Sequence, residues 1–356
     1  MSNVRWNFFP TIQATESARE WLQLQANRQL SPRTIEAYGR GLEDLLRFFQ
    51  AQRPPIDPVH ASRVDLGRYV SDLASRPGRR GSNVIQMDSG AGLAHQTMHL
   101  RVTAVRLYYD HLMDVGVRTS NPVGRGKYTP KRNEATRVRA STGTRPLLRR
   151  RPAKLPWIPN DDEFIHILRS LSAETPRNQA LLMLLYDGAM RREEVVGVEL
   201  EDFDWASREL TLRPEICKNE SGRLVLFTKP TALRIKQHLD ERRKVAPETR
   251  LLFVSESNRN RKAGLSPDMV NKIVKQLADR IGLPRLHPHT FRHLRLTHMA
   301  RCGVPEQVIA QYAGHRSIET TRIYIHLSGR EISAAVAQKM DDFHRWVESS
   351  LAGAVE

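Results

Sequence analysis

Apolar side chains in the first hundred or so residues recur at steps of three and four, the spacing of helices that bury one face. Between Ser31 and Phe49 the buried set is Ile35, Leu42, Leu45, Leu46 and Phe49, with Ser31 placed to cap the helix, Pro32 at its first position and Glu36 following. An earlier helix is predicted from a cap at Thr15 through Leu24. Another opens near Ser62, with Asp65 three residues on, and buries Val64, Leu66, Tyr69, Val70 and Leu73. Residues 76–94 carry Pro77, Gly78, Gly81, Gly90 and Gly92 and predict a loop. Helical periodicity then resumes from His95 to Val115 through Met98, Val102, Val105, Leu107 and Leu112. Together these helices are enough for a compact domain.

Residues 121–156 break the pattern with Pro122, Gly124, Gly126, Pro130, Gly143, Pro146, Pro152 and Pro156, and read as a linker. Beyond Pro159, Asn160-Asp161-Asp162-Glu163 predicts a helix start and Gln179 to Tyr186 a buried helix. Arg208–Arg213 and Leu224–Thr228 read as strands, joined through the polar turn Cys217-Lys218-Asn219-Glu220-Ser221-Gly222. The remainder is helical, broken at Pro247, Gly264, Pro284 and Gly303, and ends in an amphipathic helix carrying Ile332, Val336, Met340, Phe343 and Val347 with Trp346 alongside. The expected organisation is a helical domain over 1–120, a linker over 121–156, a mixed domain over 157–330 and a terminal helix over 331–356. The fold class is therefore mostly α with a small β-sheet.

Composition narrows the function. Among 356 residues, 40% are hydrophobic, enough to fill more than one core. Cys217 and Cys302 form neither a CxxC pair nor a disulfide framework, the first ten residues lack an apolar signal region, and no apolar run of membrane-spanning length occurs. A cytoplasmic protein is expected. The net charge of +17 is uneven: +4 over residues 1–120, +10 over 121–156 and +3 over the rest. An internal cationic strap between two near-neutral domains suits closure around a duplex, with Arg125, Lys127, Lys131, Arg132, Arg149, Arg150, Arg151 and Lys154 as candidate phosphate contacts. The plainer reading is a solvated linker.

The chemistry concentrates between His287 and Leu327. His289 and Arg292 share a face if a helix starts at Thr290, and Gly314-His315 precedes Tyr324 by nine residues. Upstream, Arg191 follows the buried helix with Glu194 three residues on, and Lys218 lies in the turn. Arginine forks grip phosphate by bidentate, charge-assisted hydrogen bonds. Two such forks, two histidines, a lysine and a tyrosine form a set for phosphoryl transfer without metal. Other side chains have plainer readings. Tyr312, His293 and His298 read as packing or capping residues, and Cys217 as a small hydrophobe at a strand end. His287, His289 and His293 could suggest zinc, but no cysteine or carboxylate completes a ligand set nearby.

In this order the residues resemble the tyrosine recombinase (phage integrase) family: arginine before glutamate, a lysine in a hairpin turn, HxxR, GH, and a tyrosine nine residues later. Residues 31–49 resemble the same family's SAM-like core-binding domain. The chain departs from the pattern at Ala189, where glycine is usual, in the turn CKNESGR, which lacks a second lysine or glycine near the first, and at Arg295, where an apolar residue is common. The resemblance implies a mixed α/β catalytic domain and a DNA strand-exchange enzyme. Tyr324 would be the nucleophile, and Arg191, Arg292 and His315 would bind the phosphate. His289 would accept or return the tyrosine proton and Lys218 would protonate the leaving 5′ oxygen, with Glu194 behind the arginines holding the basic centre. It also implies a 3′-phosphotyrosine intermediate, no cofactor, double-stranded DNA as partner and a tetramer on DNA, with the last helix docking on a neighbouring protomer or on its own domain. A type IB topoisomerase and a catalytically idle DNA-binding protein are the alternatives. About fourteen residues precede the first predicted helix, which leaves no room for an arm-site domain and favours a transposon-type or simple recombinase.

Overall fold

A computed structural model of the chain describes residues 4–76, 92–124, 147–148, 155–218, 220–246, 248–257 and 263–352, and its contacts separate Met1–Ala153 from Lys154–Glu356. In the first unit the helices are α1 (Pro10–Ala14), α2 (Glu16–Asn27), α3 (Pro32–Gln50), α4 (Arg63–Ser75) and α5 (His95–Asp114). The helix expected from Thr15 is α2, intact with Thr15 at its N-cap position, and the short α1 ahead of it was not expected. The Thr15 hydroxyl donates to the Thr11 carbonyl at 2.9 Å instead of capping α2. Ser31 accepts from the Thr34 N–H at 3.2 Å. Ser62 and Asp65 satisfy each other's backbone donors at 3.3 and 2.9 Å, the reciprocal cap that begins α4.

Trp21, Leu42, Leu46, Phe49, Tyr69 and Tyr108 are buried in this unit's core, each contributing about 1.5–3 kcal/mol by leaving water. Gly41 sets how closely α3 meets α5. A Cβ there would come within 3.0 Å of Ala104 Cβ and 3.2 Å of Arg101 Cα, so any larger residue would push the two helices apart. Buried Glu43 accepts from the N–H groups of Thr11 and Ile12 at 3.1 and 2.9 Å, satisfying donors at the start of α1 that have no partner within the helix.

The second unit contains α6 (Asp161–Ser170), α7 (Pro176–Asp187), α8 (Arg192–Val196), a sheet of β1 (Phe203–Asp204), β2 (Glu209–Leu212) and β3 (Arg223–Leu226), then α9 (Lys229–Val245), α10 (Pro267–Arg280), α11 (Pro288–Arg301), α12 (Glu306–Ala313) and α13 (Glu319–Ala352). The expected start at Asn160 is a capping box with Glu163, both bonds at 2.8 Å. Helix α7 buries Ala180, Leu181, Leu182, Leu184 and Leu185 and so is apolar nearly all round, as suits a central helix packed against both α9 and α11. Its last residue, Asp187, accepts from Thr228 N, Thr228 Oγ1 and Thr231 Oγ1 at 2.8, 2.8 and 2.5 Å, anchoring the start of α9.

The strands run β1-β2-β3, antiparallel, with Leu210 opposite Val225 and Leu212 opposite Arg223. Strand β1 was not expected, because two residues are too few to show a period of two. A small satellite core joins Ala189, Leu296, Ile309, Ala313 and Tyr324. Helix α13 runs unbroken through the expected boundary at 330/331, so Tyr324 and the exposed Val336, Met340, Phe343 and Trp346 lie on one helix. Among the described residues no helix is long and apolar enough to cross a membrane.

Candidate active site

Arg191 is the N-cap of α8. Its N–H donates to Glu194 Oε2 and its Nη1 to Glu194 Oε1, both at 2.7 Å. Glu194 is fully buried. A second arginine reaches it from β3: Arg223 Nη2 to Oε2 at 2.7 Å and Nη1 to Oε1 at 3.0 Å, while Arg223 Nε donates to the Tyr312 carbonyl at 2.8 Å. Burial alone would raise the Glu194 carboxyl, but the hydrogen bonds and charge of Arg223, then those of Arg191, reverse this and hold it down at about 2. The carboxylate is thus a fixed anion between two cations.

Arg292, on α11, is 3% exposed. Its Nη1 donates to the Ala189 carbonyl at 2.6 Å and its Nη2 to the Ala313 carbonyl at 2.5 Å, tying the approach to α8 to the end of α12. Burial and then the like charge of Arg191 lower its pKa to about 9. Ala189 has φ 45°, in the left-handed region, which explains why glycine is the favoured residue there. Arg295, also unusual, places its guanidinium 5.5 Å from the centre of the Tyr186 ring.

Helix α12 ends at Gly314 with φ 63°, a left-handed cap that turns the chain and presents His315. His315 Nδ1 bonds Thr321 Oγ1 at 2.8 Å, and its ring lies nearly parallel to that of Tyr324, 8° between planes and 6.1 Å between centres. Burial, then the charges of Arg292, Arg191 and Arg223, push its pKa down to about 4. Tyr324 is 2% exposed. Burial raises its pKa, opposed by the positive Arg292 and Arg191. Its Oη lies 2.9 Å from His293 Nδ1.

The structure therefore gathers Arg191, Glu194, Arg292, His315 and Tyr324, as expected, and adds two residues read otherwise or overlooked. His293, expected to pack or cap, bonds the tyrosine hydroxyl. Arg223 carried no signal beyond its charge, because its partner lies 29 residues earlier and only folding brings the two together. His289 is at the surface, its ring centre 6.5 Å from that of His293. Its pKa is lowered by the packed protein beneath it and then by His287 and Arg292. Lys218 is exposed in the β2–β3 connection, and no hydrogen bond or ion pair joins it to the cluster among the described residues. His298 bonds the Tyr186 hydroxyl at 2.7 Å, in keeping with a packing role. A cleft of about 480 Å³ opens beside the cluster, lined by Ser221, Gly222, Arg223, Gly314, His315 and Arg316. Among the described residues no three His, Cys, Asp or Glu side chains converge to hold a metal ion. The linker candidates Arg125, Lys127, Lys131, Arg132, Arg149, Arg150, Arg151 and Lys154 lie outside the described residues.

Residues 160–331 match the model of the phage integrase family, and residues 19–116 that of the phage integrase N-terminal SAM-like domain. The chain is 24% identical over 295 residues to tyrosine recombinase XerA of Pyrococcus furiosus, covering 83% of this chain and 92% of that one. It is 26% identical over 313 residues to tyrosine recombinase XerC of Pelobacter propionicus, covering 86% and 89%. Among solved structures it is similar to the XerH site-specific recombinase bound to its difH substrate after cleavage, with TM-score 0.63 and 19% identity over 87% of this chain and 81% of that one. It is also similar to the Tn1549 transposon integrase in complex with circular intermediate DNA, with TM-score 0.61 and 14% identity over 86% and 93%.

Proposed function

The chain belongs to the phage integrase family of tyrosine recombinases, and from that premise we propose how its own side chains divide the breaking and rejoining of a DNA strand. Tyr324 attacks the scissile phosphate and becomes joined to it as a 3′-phosphotyrosine, releasing a 5′ hydroxyl. Arg191 and Arg292 bind the non-bridging oxygens. Arg292 uses one hydrogen on each Nη for the carbonyls of Ala189 and Ala313, so the remaining N–H groups of its fork are oriented before DNA arrives. His315 donates to the same phosphate. Lys218, exposed on its turn, swings in to protonate the leaving oxygen. Attack by the 5′ hydroxyl of a second duplex completes strand exchange, and the bond energy held in the phosphotyrosine removes any need for ATP.

One observation carries this reading. Tyr324 packs in the same small core as Ala189 and Ala313, whose carbonyls hold Arg292. Nucleophile and phosphate grip thus share one frame. Recombination of two duplexes calls for four copies on DNA, and the exposed apolar face of α13, with Val336, Met340, Phe343 and Trp346, is the surface we assign to contact between them. We assign the basic residues between 121 and 156 to contacts with duplex phosphates. The free thiols of Cys217 and Cys302 fit a reducing cytoplasm, where the protein works on DNA.

A nicked suicide duplex tests the assignment of Tyr324. Wild type is trapped covalently, and Tyr324→Phe binds the same duplex without a covalent adduct; an adduct formed by the variant would move the nucleophile elsewhere. Paired plasmid assays separate two-site recombination, the expected outcome, from relaxation of supercoils alone.

A further inference from the structure

We infer that His293 is the group that takes the proton from Tyr324 as the phenol attacks phosphorus, and that gives it back when the strand is rejoined. The inference rests on Tyr324 being the nucleophile. His293 Nδ1 lies 2.9 Å from Tyr324 Oη, in contact with the reacting atom itself. Among the described residues the hydroxyl has no other hydrogen-bond partner, and in the tautomer that carries its hydrogen on Nε2 the imidazole accepts the phenol's hydrogen at Nδ1. His289, four residues earlier on the same helix face, points to the surface and makes no such bond.

The surroundings keep His293 ready to accept. Its neighbours are His287 at the N-cap of α11, His289 and Arg292 on that helix, His315 after α12, and Tyr324 across from it on α13. Burial, then His289, His287 and Arg292, push its pKa down to about 4, so the ring is unprotonated at neutral pH. A phosphate gripped by Arg191 and Arg292 brings negative charge to the ring's vicinity and strengthens its hold on a proton at the moment the phenol releases one. As the Oη–P bond forms, the Oη proton passes to Nδ1. The P–O5′ bond breaks with its electron pair on O5′, which takes a proton from Lys218. In rejoining, the incoming 5′ hydroxyl gives its proton to Lys218, and Nδ1–H returns its own to the departing phenolate.

The test uses full-length protein on the nicked suicide duplex, with three variants. His293→Asn places an amide oxygen where Nδ1 was, keeping the hydrogen bond but not the basicity; it should melt and bind DNA like wild type yet cleave roughly 100-fold or more slowly. His293→Ala should be similarly slow and regain cleavage on adding imidazole, in proportion to the unprotonated fraction. Tyr324→Phe keeps the two readings apart: if it still forms adducts the nucleophile is misassigned, whereas if it is dead and His293→Asn cleaves within threefold of wild type, only the role of His293 falls. Loss in His293→Ala that imidazole does not restore is the signature of a structural residue and would overturn the inference. So would rescue seen only in His289→Ala.

Discussion

Arg223 and Glu194 meet as a two-pronged buried ion pair, with Nη2 2.7 Å from Oε2, Nη1 3.0 Å from Oε1, and side chains only 6% and 0% exposed. Because Arg223 also donates to the Tyr312 carbonyl, one side chain joins the hairpin, the start of α8 and the end of α12. Removing it leaves an anion buried with one partner fewer. Arg223→Ala should destabilise the catalytic unit by about 3–5 kcal/mol, measured by urea unfolding. Arg223→Ala combined with Glu194→Leu should lose less than the single variant, because no charge is then stranded. Equal losses would mean that the pair is not coupled.

Ala189 combines a left-handed backbone with full burial. Changing it to glycine relieves about 1–2 kcal/mol of backbone strain but removes a buried methyl worth about 0.8 kcal/mol and leaves a small void. The two nearly offset, so Ala189→Gly should shift stability by no more than about 1 kcal/mol. Ala189→Val adds β-branching to the same conformation against Tyr324 and should cost several times that. Thermal melts of the pair decide it; a harmless valine would show that the backbone is not held left-handed in solution.

Arg191 is 17% exposed and one of its Nη groups is committed to Glu194, leaving part of its fork for phosphate. Arg191→Lys keeps the charge and loses the fork, so cleavage should slow by roughly 10²-fold or more while duplex affinity changes little. Single-turnover cleavage beside equilibrium binding separates the two. Arg292→Lys should lose stability as well, since it also releases two backbone carbonyls.

His238 is 2% exposed, its Nε2 3.0 Å from the Leu252 carbonyl, and its pKa is pushed down to about 4 by burial and then by Arg177 and Arg242, despite that hydrogen bond. Its folded pKa lies below the ordinary value of 6.5, so the unfolded chain binds the proton first as pH falls. The stability it lends is complete above 6.5 and drains away towards 4. Each such histidine adds a slope of about 1.4 kcal/mol per pH unit inside that window, and His293 and His315 act in the same direction. His238→Gln should flatten the curve of unfolding free energy against pH by about one such increment between pH 6 and 4.5. An unchanged slope would mean that His238 already carries its proton in the folded protein.

The strap over residues 121–156 carries +10. If Arg149, Arg150 and Arg151 each touch a phosphate, replacing all three by neutral residues should flatten log K against log salt by up to about three units, at roughly 0.9 per contact, on cognate and scrambled duplexes alike. Salt titrations of wild type and triple variant read this directly. An unchanged slope would make the strap a solvated connector.

Much of the site was legible because its residues announce themselves by spacing: Arg292, His315 and Tyr324 stand at intervals that a helix, a left-handed cap and another helix convert into proximity, while His289, read from the same spacing, stays at the surface. The caps at Ser62 and Asn160 were legible for the same reason, being contacts between residues three apart. What stayed hidden depends on contacts distant in sequence. His293 adjoins Arg292 and looked like a packing residue, because nothing local says that Tyr324, 31 residues on, will meet its ring. Arg223 was one basic residue among many until β3 paired with β2. The short α1 was missed because five residues are too few to show a helical period.

The clasp that Arg292 makes on the carbonyls of Ala189 and Ala313 has a consequence for the order in which the protein is made. On the ribosome the arginines emerge first, the second carbonyl later and the tyrosine later still. A chain halted before residue 313 has neither a complete clasp nor the tyrosine we propose as nucleophile, so it should touch DNA without breaking it. On this reading the ability to cut DNA is withheld until synthesis has reached α13 and that helix has packed. Released chains ending at residues 310 and 352, placed on the suicide duplex, should show adduct only for the longer one.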